Sequence, residues 1–301
     1  MSRADTPEGE LYLMEKDGGI SRLTHNDRHE NNPALSFDGK NVAFNGGDER
    51  DPLTWEIFIL DLDTLEETQL TNNNVLDAHP DWSPDGSRIV FGSFRDGQGN
   101  PAGTADIYVM SSSDGAECVQ LTHSPWEDND PEWSPDGSMI AFKSTRHTQE
   151  GGREEIFIMS RDGSDVQRLT TTSGWQSDHD PSWSPHNDLI LFIRYEGKRA
   201  WFDVADFAKD WQDLTPWNVH RVDLGGVVER LTDSVDSGWG VALFSTDASQ
   251  IVFGSIDWIT NDGQEIIGGN HRLFVMDSDG TNQRQLLPDD AHTGTLEYFD
   301  W

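Results

Sequence analysis

Apolar residues along the chain fall in short runs bounded by polar turns, not in the three-and-four spacing of long amphipathic helices. Ile57-Phe58-Ile59-Leu60, Ile107-Tyr108-Val109-Met110 and Ile156-Phe157-Ile158-Met159 are each the length of a buried strand. The stretch 128–170 shows how the runs are organised. Ser134-Pro135-Asp136-Gly137 signals a tight turn, because proline presets φ at its second position and glycine accepts a left-handed φ at its last. A short strand around Glu132-Trp133 precedes the turn, and Met139-Ile140-Ala141-Phe142 follows it. Residues 156–159 make a third strand, Arg161-Asp162-Gly163 turns, and 166–170 make a fourth. Four strands joined as hairpins in about 45 residues form one blade of a β-propeller, which cannot bury both faces alone and so comes in rings.

The unit repeats along the chain. Prolines equivalent to Pro131 stand at Pro33, Pro80 and Pro181, at intervals of 47, 51 and 50 residues. Trp133 is matched by Trp82 and Trp183, and by Phe37 in the first copy, while 244–253 is a degraded copy. An outer-strand Leu-Thr ending recurs at Leu23, Leu70, Leu121, Leu169 and Leu231, and as Leu286-Leu287 near the end. The expectation is an all-β, six-bladed antiparallel propeller forming a single domain over 1–301. Residues 1–24 would supply the outer strands of the closing blade, and 296–301 its inner strand, with Trp301 where Trp133 stands. Such closure leaves no open sheet edge. Two insertions break the rhythm, 195–217 with a short amphipathic helix around 204–214, and a glycine-rich one at 255–270.

Composition narrows the partners. Lysine and arginine number 21 against 55 aspartates and glutamates, a net charge of −34, which argues against nucleic acid and anionic membranes. It suits a salty or calcium-rich setting, or solubility alone. Cys118 is the only cysteine, so neither an intrachain disulfide nor a cysteine metal cluster is expected. No apolar run is long enough for a membrane-spanning helix, and the polar start does not read as a signal peptide.

The phrase Asp-Pro-x-Trp-Ser-Pro-Asp-Gly, the following Ile-x-Phe-x-Ser-x-Arg, the Ile-Tyr-Val-Met strand and the closing Leu-Thr resemble the TolB-type propeller repeat. The resemblance covers the second to fourth copies almost completely and the fifth in part. It implies the fold strongly and function weakly, because similar repeats occur in TolB, which binds a protein partner, in peptidase propellers and in oligogalacturonate lyases. A Gly-x-Ser-x-Gly nucleophile elbow is missing, which sets the peptidase aside. A periplasmic or extracellular place and a monomeric state are implied.

The loops before each inner strand, and those between second and third strands, gather at one mouth of the channel. His25, His29, His79, His123, His147, His179 and His292 fall in them, as do Arg50, Arg95, Arg146, Arg153, Arg194 and Arg199. The recurring Asp77, Asp128 and Asp178 either hold their loops by local hydrogen bonds or face a ligand. Converging imidazoles and carboxylates at His79, His179, Asp130 and Asp180 are candidate ligands for a divalent cation, calcium or manganese. By resemblance to the lyases, His79 and His179 are catalytic candidates, with Arg146 or Arg194 neutralising a substrate carboxylate. Trp201, Trp211 and Trp258 are candidate stacking surfaces. Two functions stay open: a ligand- or protein-binding module acting through the channel mouth, with a protein or oligosaccharide partner, or a metal-dependent lyase of acidic polysaccharides.

Overall fold

The computed structural model describes residues 9–14, 19–48, 50–95, 103–146, 153–197, 217–233, 241–261 and 265–286. A two-stranded sheet comes first, β1 (Tyr12–Met14) against β2 (Ile20–Arg22). Five four-stranded antiparallel blades follow, each in strict meander order. Blade I holds β3 (His29–Leu35), β4 (Asn41–Asp48), β5 (Asp51–Asp61) and β6 (Glu67–Gln69). Blade II holds β7 (Asp77–Trp82), β8 (Arg88–Ser93), β9 (Asp106–Ser111) and β10 (Val119–Gln120). Blade III, the template, holds β11 (Asp128–Trp133), β12 (Met139–Ser144), β13 (Glu155–Ser160) and β14 (Gln167–Arg168). Blade IV holds β15 (Ser177–Trp183), β16 (Leu189–Tyr195), β17 (Trp217–Asp223) and β18 (Val228–Arg230), and blade V β19 (Ala242–Phe244), β20 (Gln250–Asn261), β21 (Glu265–Asp277) and β22 (Arg284–Gln285).

The architecture is thus an antiparallel propeller, with five complete blades among the described residues where six were expected. The segment 296–301, expected as the sixth inner strand, and the helix expected at 204–214 lie outside those residues. The 255–270 insertion differs from expectation in form: its backbone continues β20 and β21 as one long hairpin, with Ile256 opposite His271 and Asn261 opposite Glu265.

Two local devices recur. The amide of the outer-strand leucine donates to a third-strand carbonyl in six places, from Leu23 to Leu11 (2.8 Å) through to Leu286 to Leu273 (2.7 Å). The threonine after that leucine accepts, on its hydroxyl, the third-strand amide of Leu11, Ile57, Ile107, Ile156 or Val219, each at 2.9 Å. The Leu-Thr signature is therefore a buried cap. It satisfies a strand-end donor that burial would otherwise leave without water, a loss of about 1–3 kcal/mol. The β1–β2 sheet carries the same cap, and Leu11 and Leu23 pack on Val42, Phe44, Phe58 and Leu60 of blade I.

Blades pack face to face through the inner tryptophans. Trp82 lies among Ile57, Ile59 and Leu70 of blade I, and its indole donates to Ala34 O at 3.1 Å. Trp183 donates to Glu132 O at 3.3 Å. The carboxylates after the recurring proline add a second link: Asp81 accepts from Trp133 N (2.7 Å) and Glu132 from Trp183 N (3.0 Å). The turn glycines Gly86 and Gly137 have φ of +70°, and Asn187 takes that conformation at +58°.

Candidate site at the channel mouth

Each of blades I to IV interrupts its inner strand with a bulge around the recurring proline. The residue just before that proline takes a left-handed backbone in every case: Asn32 (+51°), His79 (+53°), Asp130 (+51°) and Asp180 (+51°). Proline disfavours helical conformations before it, and among residues other than glycine, Asn, Asp and His best tolerate positive φ. The sequence therefore held a signal, since all four pre-proline residues come from that small set.

The bulge joins these side chains into one network. Asn32 Nδ2 and His79 Nδ1 are 3.0 Å apart, and His79 Nε2 lies 3.1 Å from Asp130 Oδ1. Lys143 Nζ, from β12, is 2.9 Å from Asp130 Oδ2. Asp180 stands close enough for the Asp130 charge to act on its carboxyl. His179 lies 3.7 Å from Glu154, with its ring against Trp217 at 5.1 Å. The structure thus brings His79, Asp130 and Asp180 together and sets His179 beside them, and it adds Asn32 and Lys143, which sequence reasoning missed. Lys143 could have been found from the repeat: Asn45, Gly92 and Ile193 occupy its place in the other blades.

Electrostatics follow from burial. It pushes both His79 and His179 down from the ordinary imidazole value, so both are neutral near pH 7. A neutral His79 with its proton on Nε2 accepts from Asn32 and faces Asp130 with that proton. Burial raises the Asp130 carboxyl, yet His79 and Lys143 outweigh it and leave it low. Burial and then the Asp130 charge push Asp180 up. Burial opposes the Lys143 ammonium, but Asp130, Glu154 and Asp180 more than compensate and keep it charged. The network therefore sets a lowered carboxyl, Asp130, against a raised one, Asp180, with the buried Lys143 ammonium acting on both.

This donor set does not fit the expected divalent cation. An ammonium already sits at hydrogen-bond distance from Asp130, both ring nitrogens of His79 face protein groups, and no group of three or more His, Cys, Asp or Glu among the described residues is arranged to hold a metal ion. Arg146 and Arg194 are also engaged. Arg194 forks onto Asp178 at 2.6 and 2.8 Å, and Arg146 pairs with Asp128, which also accepts from Ser144. Arg95 and Ser93 treat Asp77 in the same way. The aspartate three places before the proline and the arginine at the end of the second strand are thus one buried device in blades II, III and IV. His147, Arg199, His292, Trp201 and Trp211 lie outside the described residues, and Trp258 is placed only as backbone of the β20–β21 hairpin.

Comparison with known proteins agrees with this architecture. Residues 100–217 match the TolB beta propeller domain. The chain is 31% identical over 170 residues to the uncharacterized protein Atu1656 of Agrobacterium fabrum, covering 55% of each chain. Among solved structures it resembles TolB from Acinetobacter baumannii, with a TM-score of 0.64 at 22% identity, covering 91% of this chain and 59% of that one. It also resembles oligogalacturonate lyase from Vibrio parahaemolyticus, at 0.57 and 15% identity, covering 92% and 70%. Likeness at these identities speaks for the fold. The chain spans about half or less of the length of the curated relatives it matches.

Proposed function

Because the chain is a TolB-type β-propeller repeat protein, we propose that it is a binding module whose ligand or protein partner seats on the channel mouth. The observation that carries this reading is the set Asn32, His79, Asp130 and Asp180. Four residues other than glycine hold left-handed backbones to bring polar side chains together at one end of the inner strands. Strained conformations of this kind persist where a surrounding fold enforces them, and they cluster at ligand sites. The lyase reading lacks equivalent support, since Arg146 and Arg194 already neutralise Asp128 and Asp178.

We further infer a ring of six blades, closed by 296–301 pairing with the β1–β2 sheet. The threonine cap at Leu11 and the packing of Leu11 and Leu23 on blade I support it, because both match what the outer strands of complete blades do. A periplasmic or extracellular place follows from the family resemblance alone.

Thermal shifts test the function. Short peptides and acidic oligosaccharides are screened against the full chain and against His79→Gln, with Asp85→Asn on the opposite turns as control. A ligand of the mouth raises the melting temperature of the parent and the control, by mass action on the folded state, but not of His79→Gln. Equal shifts in all three proteins, or no shift from any compound, would remove the reading. Release of unsaturated sugar products from the oligosaccharides would replace it with the enzymatic one.

A further inference from the structure

The mouth has more acid than base within its walls. A single ammonium, that of Lys143, lies 2.9 Å from Asp130, feels the charges of Glu154 and Asp180 as well, and itself acts on Glu127. Lys143 shows what this environment accepts: a primary ammonium, 2.9 Å from a carboxylate, on an aliphatic stem whose side chain is only 14% exposed. The neighbouring blade repeats the arrangement without the lysine. Gly92 stands where Lys143 stands, opposite Ala78 as Lys143 is opposite Asn129. Asn129 Oδ1 lies over Gly92, 1.9 Å from where a Cβ would be, and finds no hydrogen-bond donor among the described residues although Asn129 is 7% exposed. A buried carbonyl oxygen with no donor costs about 1–3 kcal/mol, so it marks a place where a donor is wanted.

The rim offers a second and independent feature. Trp126 and Trp175 occupy the loops just upstream of β11 and β15, and they are 45% and 43% exposed. The Arg153 guanidinium lies 5.6 Å from the Trp175 ring centroid, so that surface already carries a cation of this chain's own. Exposed indoles beside carboxylates suit a group with a long aliphatic stem and a charged head.

Resting on the binding-module reading above, we infer that the partner is a basic polypeptide segment. A lysine or arginine head enters the mouth toward Asn129 Oδ1 and Asp130, and its stem is covered by Trp126 and Trp175. The acidic chain, at −34, complements such a partner and draws it in over a distance.

The test uses a decapeptide of alternating lysine and glycine, the same peptide with every lysine acetylated, and a glutamate–glycine counterpart. Each is titrated into the full chain in 0.3 M NaCl, where non-specific attraction is screened within a few ångströms, and followed by calorimetry and indole proton resonances. The lysine peptide is expected to bind at least tenfold more tightly than its acetylated form. Trp126→Ala with Trp175→Ala, exposed positions that leave the core untouched, is expected to weaken it at least tenfold. Asn129→Leu, which removes an oxygen that has no partner to lose, is expected to do the same. Asp85→Asn with Asp247→Asn, on the opposite turns, should leave it unchanged. Equal weakening in the turn variant, no effect of the tryptophan pair, or no binding of the lysine peptide overturns the inference. If the acetylated or glutamate peptide binds instead and the tryptophan pair abolishes it, the mouth is a binding face for another chemistry. If no peptide binds and no indole resonance moves, both readings fall.

Discussion

At the position before each recurring proline, backbone and side chain are chosen together. Asn, His, Asp and Asp tolerate positive φ and also supply the polar groups of the mouth, so one small set of residues meets both demands. That choice could be read from the sequence, whereas the contacts could not, because Lys143 reaches Asp130 only through the pairing of two strands. The arginines teach the reverse lesson: Arg146 and Arg194 read as substrate-binding groups, but each is held by an aspartate of its own blade. Asp128→Ala would strand a largely buried guanidinium, and equilibrium unfolding in urea should register a loss of about 3–5 kcal/mol. Ligand binding per folded molecule should stay as it was. Asp180 gives a pH signature. Its folded pKa is pushed up to about 7 by burial and Asp130, against an unfolded value of ~3.9. Its contribution to stability is therefore complete below ~3.9 and is lost as pH rises through about 7. With Asp130, Lys143 and Glu154 acting on it, Asp180→Asn should flatten the fall in unfolding free energy between about pH 4 and 7, read from urea titrations at each pH. A slope unchanged by the substitution would show that another group titrates there.

Elements were legible where a strand must be buried on both faces. The runs that end at Met110 and Met159 became third strands as expected, and the Ser-Pro-Asp-Gly turns took their left-handed glycines. The 255–270 hairpin was less legible, since its glycines suggested a loop while its backbone pairs as strand almost to the tip. Cross-strand pairing is a property of two segments, and neither segment alone announces it. The Leu-Thr ending was visible as a repeat, but its meaning came from the fold, where the threonine hydroxyl caps the next-inner strand. Gly92 is similar: its need for a missing side chain is set by Asn129 of the neighbouring blade. Gly92→Ala should therefore cost about 1–3 kcal/mol as the Asn129 amide is forced aside, measured by chemical denaturation. It should also disturb the mouth. Trp133→Ala should cost about 3–5 kcal/mol by opening the interface between blades II and III.

For the whole molecule, charge is the property that composition stated most plainly, and the fold shows how it is arranged. Much of the acid sits in hairpin turns, where Asp38, Asp85, Asp136 and Asp247 accept hydrogen bonds from serines or backbone amides two residues away. These bonds hold Asp85 and Asp247 down at about 2, so each adds stability above ~3.9 that disappears as pH falls through about 2. The turns are thus built to stay charged, and the molecule carries a net charge of −34 at pH 7. Local hydrogen bonds stabilise each carboxylate, while the sum of carboxylates repels itself across the ring. The two effects separate by range. Hydrogen bonds within a turn act at contact and are insensitive to salt, whereas repulsion between turns is screened over a Debye length of about 10 Å at 0.1 M and about 3 Å at 1 M. Raising NaCl from 0.02 to 1 M should therefore raise the melting temperature steadily, and potassium chloride should act equally well. Neutralising two turn aspartates, Asp85→Asn with Asp247→Asn, should lower the melting temperature where the turn bonds dominate and raise it where repulsion does. With ring-wide repulsion this large, the first result is expected only at high salt, and the sign should reverse as salt is removed. A melting temperature flat in salt would mean that the acidic surface is stabilised locally, turn by turn, and that its charge serves encounter with a partner and not the balance of the fold.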